Sequence, residues 1–558
     1  MLSTAAWRTA STPPGGSRSE RALGYRRLLP AVATRLAHRK GDPVASQKHR
    51  STRRAVIRSA AIGTAVCLMT AAGADVTAGP APRRKSLRRA APESLGVDPK
   101  AVLAFVEATE KQFGGLHSFM LLRHGQVAAE GWWFPYAPRR PHMLFSLSKS
   151  FTSTAVGFAV SEGLLSVEDH VLHFFPNDTP PNVSDNLAAM RVKHLLTMST
   201  GHSKDATEAT VQAPDGNWVR EFLAQPVDHQ PGAPFVYNSA ATYMLSAIVQ
   251  RVTGVRVLDY LTPRLFQPLG IEGATWETCP RGINTGGWGL SVKTEDIAPF
   301  GQLYLQKGMW NGKRVIPEAW VEEATAKQVS NGSNPNSDWE QGYGYQFWRC
   351  RHGAYRGDGA FGQYCIVMPQ QDAVLAITSG VGDMQAVLNM VWDHLLPGMN
   401  ADPLSTSAGE DRLQAKLAGL TVPVQEGAAS SPTAKRVSGR TFAFEPNDQN
   451  LNAVTLRFAG NRCTLTVRDG RGEQTLTATH GKWRPGTMPL EPPAERNVAA
   501  SAAWTNPDTL VVKVCMCETP FISTYTFRFD GDKVTYAAKT NVGFGPTDRP
   551  RLVGKMVA

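Results

Sequence analysis

Residues 142–153 read His142-Met143-Leu144-Phe145-Ser146-Leu147-Ser148-Lys149-Ser150-Phe151-Thr152-Ser153. Phe151, Ala155, Val156, Phe158 and Ala159 follow at helical spacing, so Ser146 stands where a helix begins. Ser146 and Lys149 form the only Ser-x-x-Lys of the chain, and one helical turn directs both side chains into the same space. A serine hydroxyl needs a base to become a nucleophile, and a lysine amine can serve once burial lowers its pKa toward neutrality. The helix start adds backbone N–H groups and a positive dipole end, which suit an oxyanion. Alone the motif is weak, since on the order of one such match is expected by chance; the competing reading is a plain capped helix start.

Other hydrolase and nucleotide signatures are absent from the sequence: no G-x-S-x-G elbow, no H-E-x-x-H helix and no G-x-x-x-x-G-K-[ST] loop. At 558 residues, 42% hydrophobic and 19% charged, the chain reads as an ordinary globular protein of two or three domains. Its net charge of +12 suggests an anionic partner until it is mapped. Residues 1–90 hold eighteen Arg and Lys against Glu20, Asp42 and Asp75, so that stretch carries +15 and the remainder −3. The basic character belongs to the leader, which excludes a nucleic-acid partner for the body.

Within the leader, Arg53-Arg54 precedes sixteen uncharged residues, Ser59 to Ala74, ending in Ala72-Gly73-Ala74. That run is short for a membrane span and has the A-x-A pattern of a cleavage site. It resembles a twin-arginine export signal over about 51–74, within a targeting leader of residues 1–75. The expected location is periplasmic or secreted, with no stable membrane insertion after processing; a mitochondrial presequence is the alternative. Six cysteines would survive processing, and their pairing is not legible. Cys515 and Cys517 lack a third ligand at metal spacing, so no metal and no cofactor are expected.

A linker over 76–97 leads to a helix from Asp98 to Phe113 and a hairpin from Ser118 to Trp133. Helical patterns dominate to about Lys327, followed by strands Phe361 to Met368 and Ala373 to Thr378 and a helix Asp383 to Leu396. Strands at both ends of residues 98–400 predict an α+β domain with the early and late strands in one sheet. Residues 401–435 read as a second linker. Short alternating runs with tight turns predict a separate β domain, barrel or sandwich, over 436–558. It is read as a spacer or a module for cell-wall contact. Trp132 and Trp133 read as strand packing before substrate wall.

The segment 142–153 resembles the active-site segment of the serine β-lactamase and penicillin-binding-protein superfamily. Further landmarks follow in the right order: Val192 to His202, Pro231-Gly232-Ala233-Pro234-Phe235-Val236-Tyr237-Asn238-Ser239, Gly286 to Ser291, and Gly342 to Trp348. The resemblance spans about 95–400 and implies a β-lactamase-like fold: an antiparallel sheet flanked by helices, with a helical subdomain. It also implies that Ser146 is the acylated nucleophile, Lys149 its general base or proton relay, and Tyr237 a phenolate or proton shuttle toward the leaving group. A tyrosine beside a lysinium would have its pKa lowered.

Two departures from the family pattern matter. The second motif, Tyr-x-Asn in class C relatives, here ends in Ser239. The third, Lys-Thr/Ser-Gly, is missing; in its place stands Gly357-Asp358-Gly359-Ala360-Phe361-Gly362-Gln363. The glycines would let substrate approach the backbone, and the Ala360 N–H would join that of Ser146 in an oxyanion hole. Ser239, Asp358 and Gly359 are candidate substrate contacts, Asp358 alternatively serving only turn chemistry. Arg356 should point to the other face if the segment is extended. No equivalent of the deacylating glutamate of class A enzymes is apparent, and His142 and His202 fit no triad.

The loss of a cation at the third motif favours a small ester, amide or peptide substrate, as in the 6-aminohexanoate-dimer hydrolase and esterase branches. A β-lactamase or D-Ala-D-Ala carboxypeptidase is the alternative. A non-catalytic binding or sensor protein on the same fold is the second.

Overall fold

The computed structural model describes residues 87–232, 234–405, 409–491 and 494–557; the leader and the first part of the 76–97 linker lie outside them. Asp98 caps α1 (Pro99–Phe113) by accepting the Lys100 N–H at 2.9 Å, with Pro99 at a position that needs no donor. Gly114, left-handed at φ 76°, ends the helix. A hairpin follows, β1 (Ser118–Arg123) and β2 (Gln126–Trp132), turning at His124-Gly125. The remaining strands of that sheet come more than two hundred residues later: β3 (Trp348–Arg349), β4 (Tyr355–Gly359), β5 (Gln363–Met368) and β6 (Ala373–Thr378). The sheet is antiparallel, in the order β2-β1-β6-β5-β4-β3, with Ser118 opposite Thr378. The early and late strands therefore share one sheet, as their positions predict.

Both faces of that sheet are covered, which is why β1 is buried along its whole length. Met120 and Leu122 face a core shared with the helical insert, while Phe119 and Leu121 face a second core with α1 and the helix Met384–Met390. The insert supplies α2 (Ser148–Ser161), α3 (Ser239–Thr253) and α4 (Thr294–Leu305), the last lying on β1, β5 and β6. Every residue of α2 from Ser148 to Ala159 is buried, the mark of a helix enclosed on all sides. Two boundaries differ from expectation. Phe361 (φ 68°) and Gly362 (φ 89°) form a turn, so β5 starts at Gln363, and the helix after Asp383 gives way to a π turn at Val391–Leu395. Trp133 is fully buried in the second core and donates Nε1–H to Glu110 at 3.2 Å, a packing role.

Ten strands follow: β7 (Thr441–Phe444), β8 (Leu451–Ala459), β9 (Arg462–Asp469), β10 (Gly472–Thr479), β11 (Arg484–Glu491), β12 (Ala494–Asn506), β13 (Thr509–Met516), β14 (Ile522–Asp530), β15 (Lys533–Thr540) and β16 (Leu552–Val557). Their order is β10-β9-β8-β7-β16-β15-β14-β13-β12-β11, and Thr479 of β10 pairs with Ser501 of β12. Nine strands thus close on themselves with β11 outside the ring. The domain is a barrel, not a sandwich, and closure removes the open edges. Alternate residues such as Val454, Leu456, Val512, Val514 and Phe527 fill it. The stretch read as a linker carries a helix, Gly409–Ala418, and sends Leu413, Leu420 and Val422 into the second core. Barrel loops reach the hydrolase-like region: Met143 N–H donates to Glu518 O at 2.9 Å, and Asn541 Nδ2 to Gly380 O at 2.9 Å. The six described cysteines are buried and unpaired.

Candidate active site

Ser146 sits in a 3₁₀ turn, Phe145–Leu147, that runs directly into α2. Phe145 adopts φ 48°, which is uncommon for a non-glycine residue. Ser148 Oγ donates to Phe145 O at 2.6 Å and accepts the Leu290 N–H at 3.1 Å, so the turn is tied at both ends. The first N–H groups of such a turn lack partners within it and remain available to a ligand.

Lys149, 1% exposed, spends all three of its ammonium protons. Nζ donates to Ser146 Oγ at 3.0 Å, Ser239 Oγ at 2.9 Å and Gly287 O at 2.7 Å. Burial brings its pKa down to about 7, while Asp205 and Asp358 push the other way. Gly287 has to be glycine: an added Cβ would stand 2.7 Å from Ser239 O.

Asn238 caps α3 by accepting the Ala240 and Ala241 N–H groups, which leaves Ser239 as the first helical residue facing Lys149. The shorter second-motif side chain therefore still reaches the lysine. Tyr237 lies just before this cap, stacked on Trp348 with centroids 5.4 Å apart and edge-on to Tyr343. The Ser146 side chain acts on the Tyr237 hydroxyl to lower its pKa. The expected lowering of its pKa is overturned. Burial and the Asp358 charge drive it upward, and the Lys149 ammonium lies over the ring face, 4.9 Å from the centroid. Tyr237 is a neutral phenol at pH 7.

The first three residues of the third-motif segment, Gly357 to Gly359, end strand β4, and this corrects three readings. Asp358 is not in a turn; it pairs in register with Tyr364. Arg356 does not point to the opposite face, because residues two apart in a strand share a face. Its Nε donates to Asp358 Oδ2 at 2.9 Å, with both side chains buried. Burial raises the Asp358 pKa, and Arg356 and the Trp348 N–H counter that rise. Finally, the glycines serve packing on the protein's own backbone. A Cβ on Gly359 would stand 2.0 Å from Leu144 O and 3.0 Å from Ser146 N, and one on Gly357 2.4 Å from Ser150 Oγ. Ala360 follows, half-buried, in a turn held by Gln363, whose Nε2 donates to Ala360 O at 3.0 Å and Ser379 O at 2.9 Å.

Ser146, Lys149, Tyr237 and Ser239 are therefore one contact group, with the Gly359–Ala360 end of β4 against the Ser146 turn. Asp205 was not singled out in the sequence. It is largely buried, accepts the Thr207 N–H at 2.9 Å and Oγ1–H at 2.6 Å, and its charge acts on Lys149. Its only local signal is an Asp-x-Thr turn, common in loops. His142 Nε2 lies 3.0 Å from His117 Nδ1, and His202 pairs with Thr200, both apart from the Ser146 group.

This arrangement, a serine in the turn that opens the central helix and a buried lysine one turn on, beneath an antiparallel sheet, belongs to the penicillin-recognising hydrolase fold. The Beta-lactamase family model matches residues 105–387, and the chain belongs to that family. It is 28% identical over 287 residues to the 6-aminohexanoate-dimer hydrolase of Paenarthrobacter ureafaciens, covering 48% of this chain and 73% of that one. It is 29% identical over 150 residues to the lovastatin esterase of Penicillium rubens, covering 23% of this chain and 37% of that protein. Among solved structures it is similar to the octameric penicillin-binding protein homologue from Pyrococcus abyssi. That match has 17% identity and a TM-score of 0.43, over 82% of this chain and 100% of the other.

Proposed function

We propose that this protein is an exported serine hydrolase that cleaves a small ester or amide through an acyl-Ser146 intermediate. The observation that carries the reading is the 3.0 Å contact from Lys149 Nζ to Ser146 Oγ, at a site dry enough to bring the lysine pKa to about 7. Neutral Lys149 takes the Ser146 proton as Oγ bonds to the carbonyl carbon, and the carbonyl electron pair moves onto oxygen beneath the Ser146 and Ala360 N–H groups. Collapse breaks the bond to the alcohol or amine, which receives the proton from Lys149 through the Tyr237 phenol. Water then repeats the sequence. Lys149 takes its proton, its oxygen bonds to the acyl carbon, the Ser146 ester breaks, and Ser146 recovers a proton. One water is consumed, and an acid and an alcohol or amine leave.

An ester or amide is favoured over a β-lactam by the pairing on β4. The Arg356 guanidinium is committed to Asp358, Asp338 O and Cys350, so it does not offer its charge to a substrate carboxylate. The names of the two relatives, an amide hydrolase and an esterase, agree with this preference. Ser239 holds Lys149 at 2.9 Å, and the Asp358 charge acts on both Lys149 and Tyr237. Export through the twin-arginine-like segment completes the reading.

Intact-protein mass spectrometry of wild type and Ser146→Ala tests it, with a penicillin, a p-nitrophenyl ester and a short amide sampled over time. A transient adduct that needs Ser146 and clears with the ester or amide is the expected result. A penicillin adduct that never clears would indicate a penicillin-binding protein. A folded sample with neither adduct nor turnover would sink the hydrolase reading in favour of a binding protein.

A further inference from the structure

Four phenylalanines meet beside the Ser146 turn and belong to none of the three hydrophobic cores. Phe145 immediately precedes Ser146, and Phe361 immediately follows Ala360. Phe521 and Phe544 come from the barrel, one just before β14 and one in the loop between β15 and β16. Phe145 and Phe361 lie edge to face at 5.5 Å. Phe521 touches both, at 6.3 and 5.8 Å, and Phe544 touches both, at 5.7 and 4.8 Å.

Two features set this group apart from ordinary domain glue. Phe145, Phe521 and Phe544 are only half-buried, although the domains are already fastened by Met143 N–H to Glu518 O and Asn541 Nδ2 to Gly380 O. In addition, Phe145 and Phe361 both hold left-handed backbones, at φ 48° and 68°. Such conformations persist where the surroundings enforce them, and they cluster at binding and catalytic sites. Each of these residues adjoins an N–H assigned to the oxyanion, Phe145 before that of Ser146 and Phe361 after that of Ala360.

We propose that the barrel completes the substrate site, Phe521 and Phe544 forming with Phe145 and Phe361 an apolar wall for an aromatic or branched acyl group. The inference rests on the acyl-Ser146 reading above. The leaving group faces Tyr237, which belongs to a different aromatic set with Tyr343 and Trp348. The acyl group, on the oxyanion flank, then meets the four phenylalanines. Flat rings at 4.5–7 Å suit an aromatic or branched partner, which gains contact with several faces and edges at once. The C-terminal domain is thereby a specificity element and not a spacer.

The test compares wild type with Phe521→Ala, Phe544→Ala and the double variant, all in the full chain. One arm varies the acyl group on a fixed alcohol, p-nitrophenyl acetate against p-nitrophenyl phenylacetate. The other varies the alcohol on a fixed acyl group, methyl against benzyl acetate. The expected result is that the double variant loses about tenfold or more in the phenylacetate-to-acetate ratio of kcat/KM, the scale of a mismatched apolar pocket, while the benzyl-to-methyl ratio holds. An equal loss on all substrates would mean structural glue and overturn the proposal, as would an unchanged acyl ratio or a change confined to the alcohol arm. Should the alanine pair fail to fold, Phe521→Leu with Phe544→Leu keeps the volume and is expected to lower the acyl ratio several-fold, under the same overturning outcomes. Labelling by a fluorophosphonate separates the two readings. Wild type unlabelled at Ser146 would fail the hydrolase reading and this one with it, whereas labelling with an unchanged acyl ratio would fail this one alone.

Discussion

Arg356 and Asp358 form a buried ion pair along one face of β4, Nε to Oδ2 at 2.9 Å, two residues from the turn that carries Ala360. Breaking such a pair from one side leaves a charge in a dry place and costs about 3–5 kcal/mol, whereas replacing both partners by apolar residues costs far less. Asp358→Leu is therefore expected to lower the thermal midpoint sharply, and Arg356→Met/Asp358→Leu to recover most of the loss. Equal destabilisation by the single and double variants would show that the pair contributes nothing as a pair.

In the proposed mechanism Lys149 acts as a base only when neutral. With its pKa lowered to about 7 by burial, kcat/KM should fall about tenfold per pH unit below that value and level off above it. The pH profile of ester hydrolysis measures this directly, and a flat profile between pH 5 and 8 would remove Lys149 as the base.

Lys149→Ala and Tyr237→Phe are each expected to reduce turnover by about 10²–10⁴, the range of general acid–base catalysis. Together they should cost little more than the worse of the two, because the groups act as one unit. Multiplicative losses in single-turnover acylation would show two independent contributions.

Asp205 supplies a different check. Its negative charge raises the Lys149 pKa, so removing that charge lets burial act with less opposition. Asp205→Asn should move the acidic limb of the pH profile to lower pH. A loss of rate with the limb in place would instead assign Asp205 to shaping the loop before α3.

Gly359 has no strained backbone, and the space beyond its missing Cβ is occupied by Leu144 O at 2.0 Å. Gly359→Ala must push β4 off the Ser146 turn, at about 1–3 kcal/mol for an overpacked site, and separate the two N–H groups proposed for the oxyanion. Gly382→Ala, whose Cβ would meet nothing within 4 Å, is the matched control. We expect acylation to collapse in the first and persist in the second. Comparable rates in both would mean that the β4 glycines do not govern the oxyanion geometry.

Local patterns determined a good deal of this protein. The Ser146-x-x-Lys149 turn, the α1 cap at Asp98, the hairpin at His124-Gly125 and the alternating barrel strands are each written within a dozen residues, because helical and strand periodicity are short-range properties. The sequence order of strands even implied that β1 and β6 share a sheet. Beyond that pairing, it did not supply the burial, charge and contacts that rest on residues distant in the chain. The downward drift of the Lys149 pKa needs enclosure by α3 and the Gly287 loop. The upward drift of Tyr237 needs burial beside Asp358, although a lysinium nearby had suggested the reverse. Asp205 has no motif, and its meaning comes only from the fold that brings its charge to bear on Lys149. Phe521 and Phe544 lie some four hundred residues from Phe145, and only closure of the barrel against the hydrolase-like domain brings them to it. Backbone conformation follows from neighbours along the chain, whereas burial, charge pairing and ring contact follow from neighbours in space, which tertiary packing alone decides.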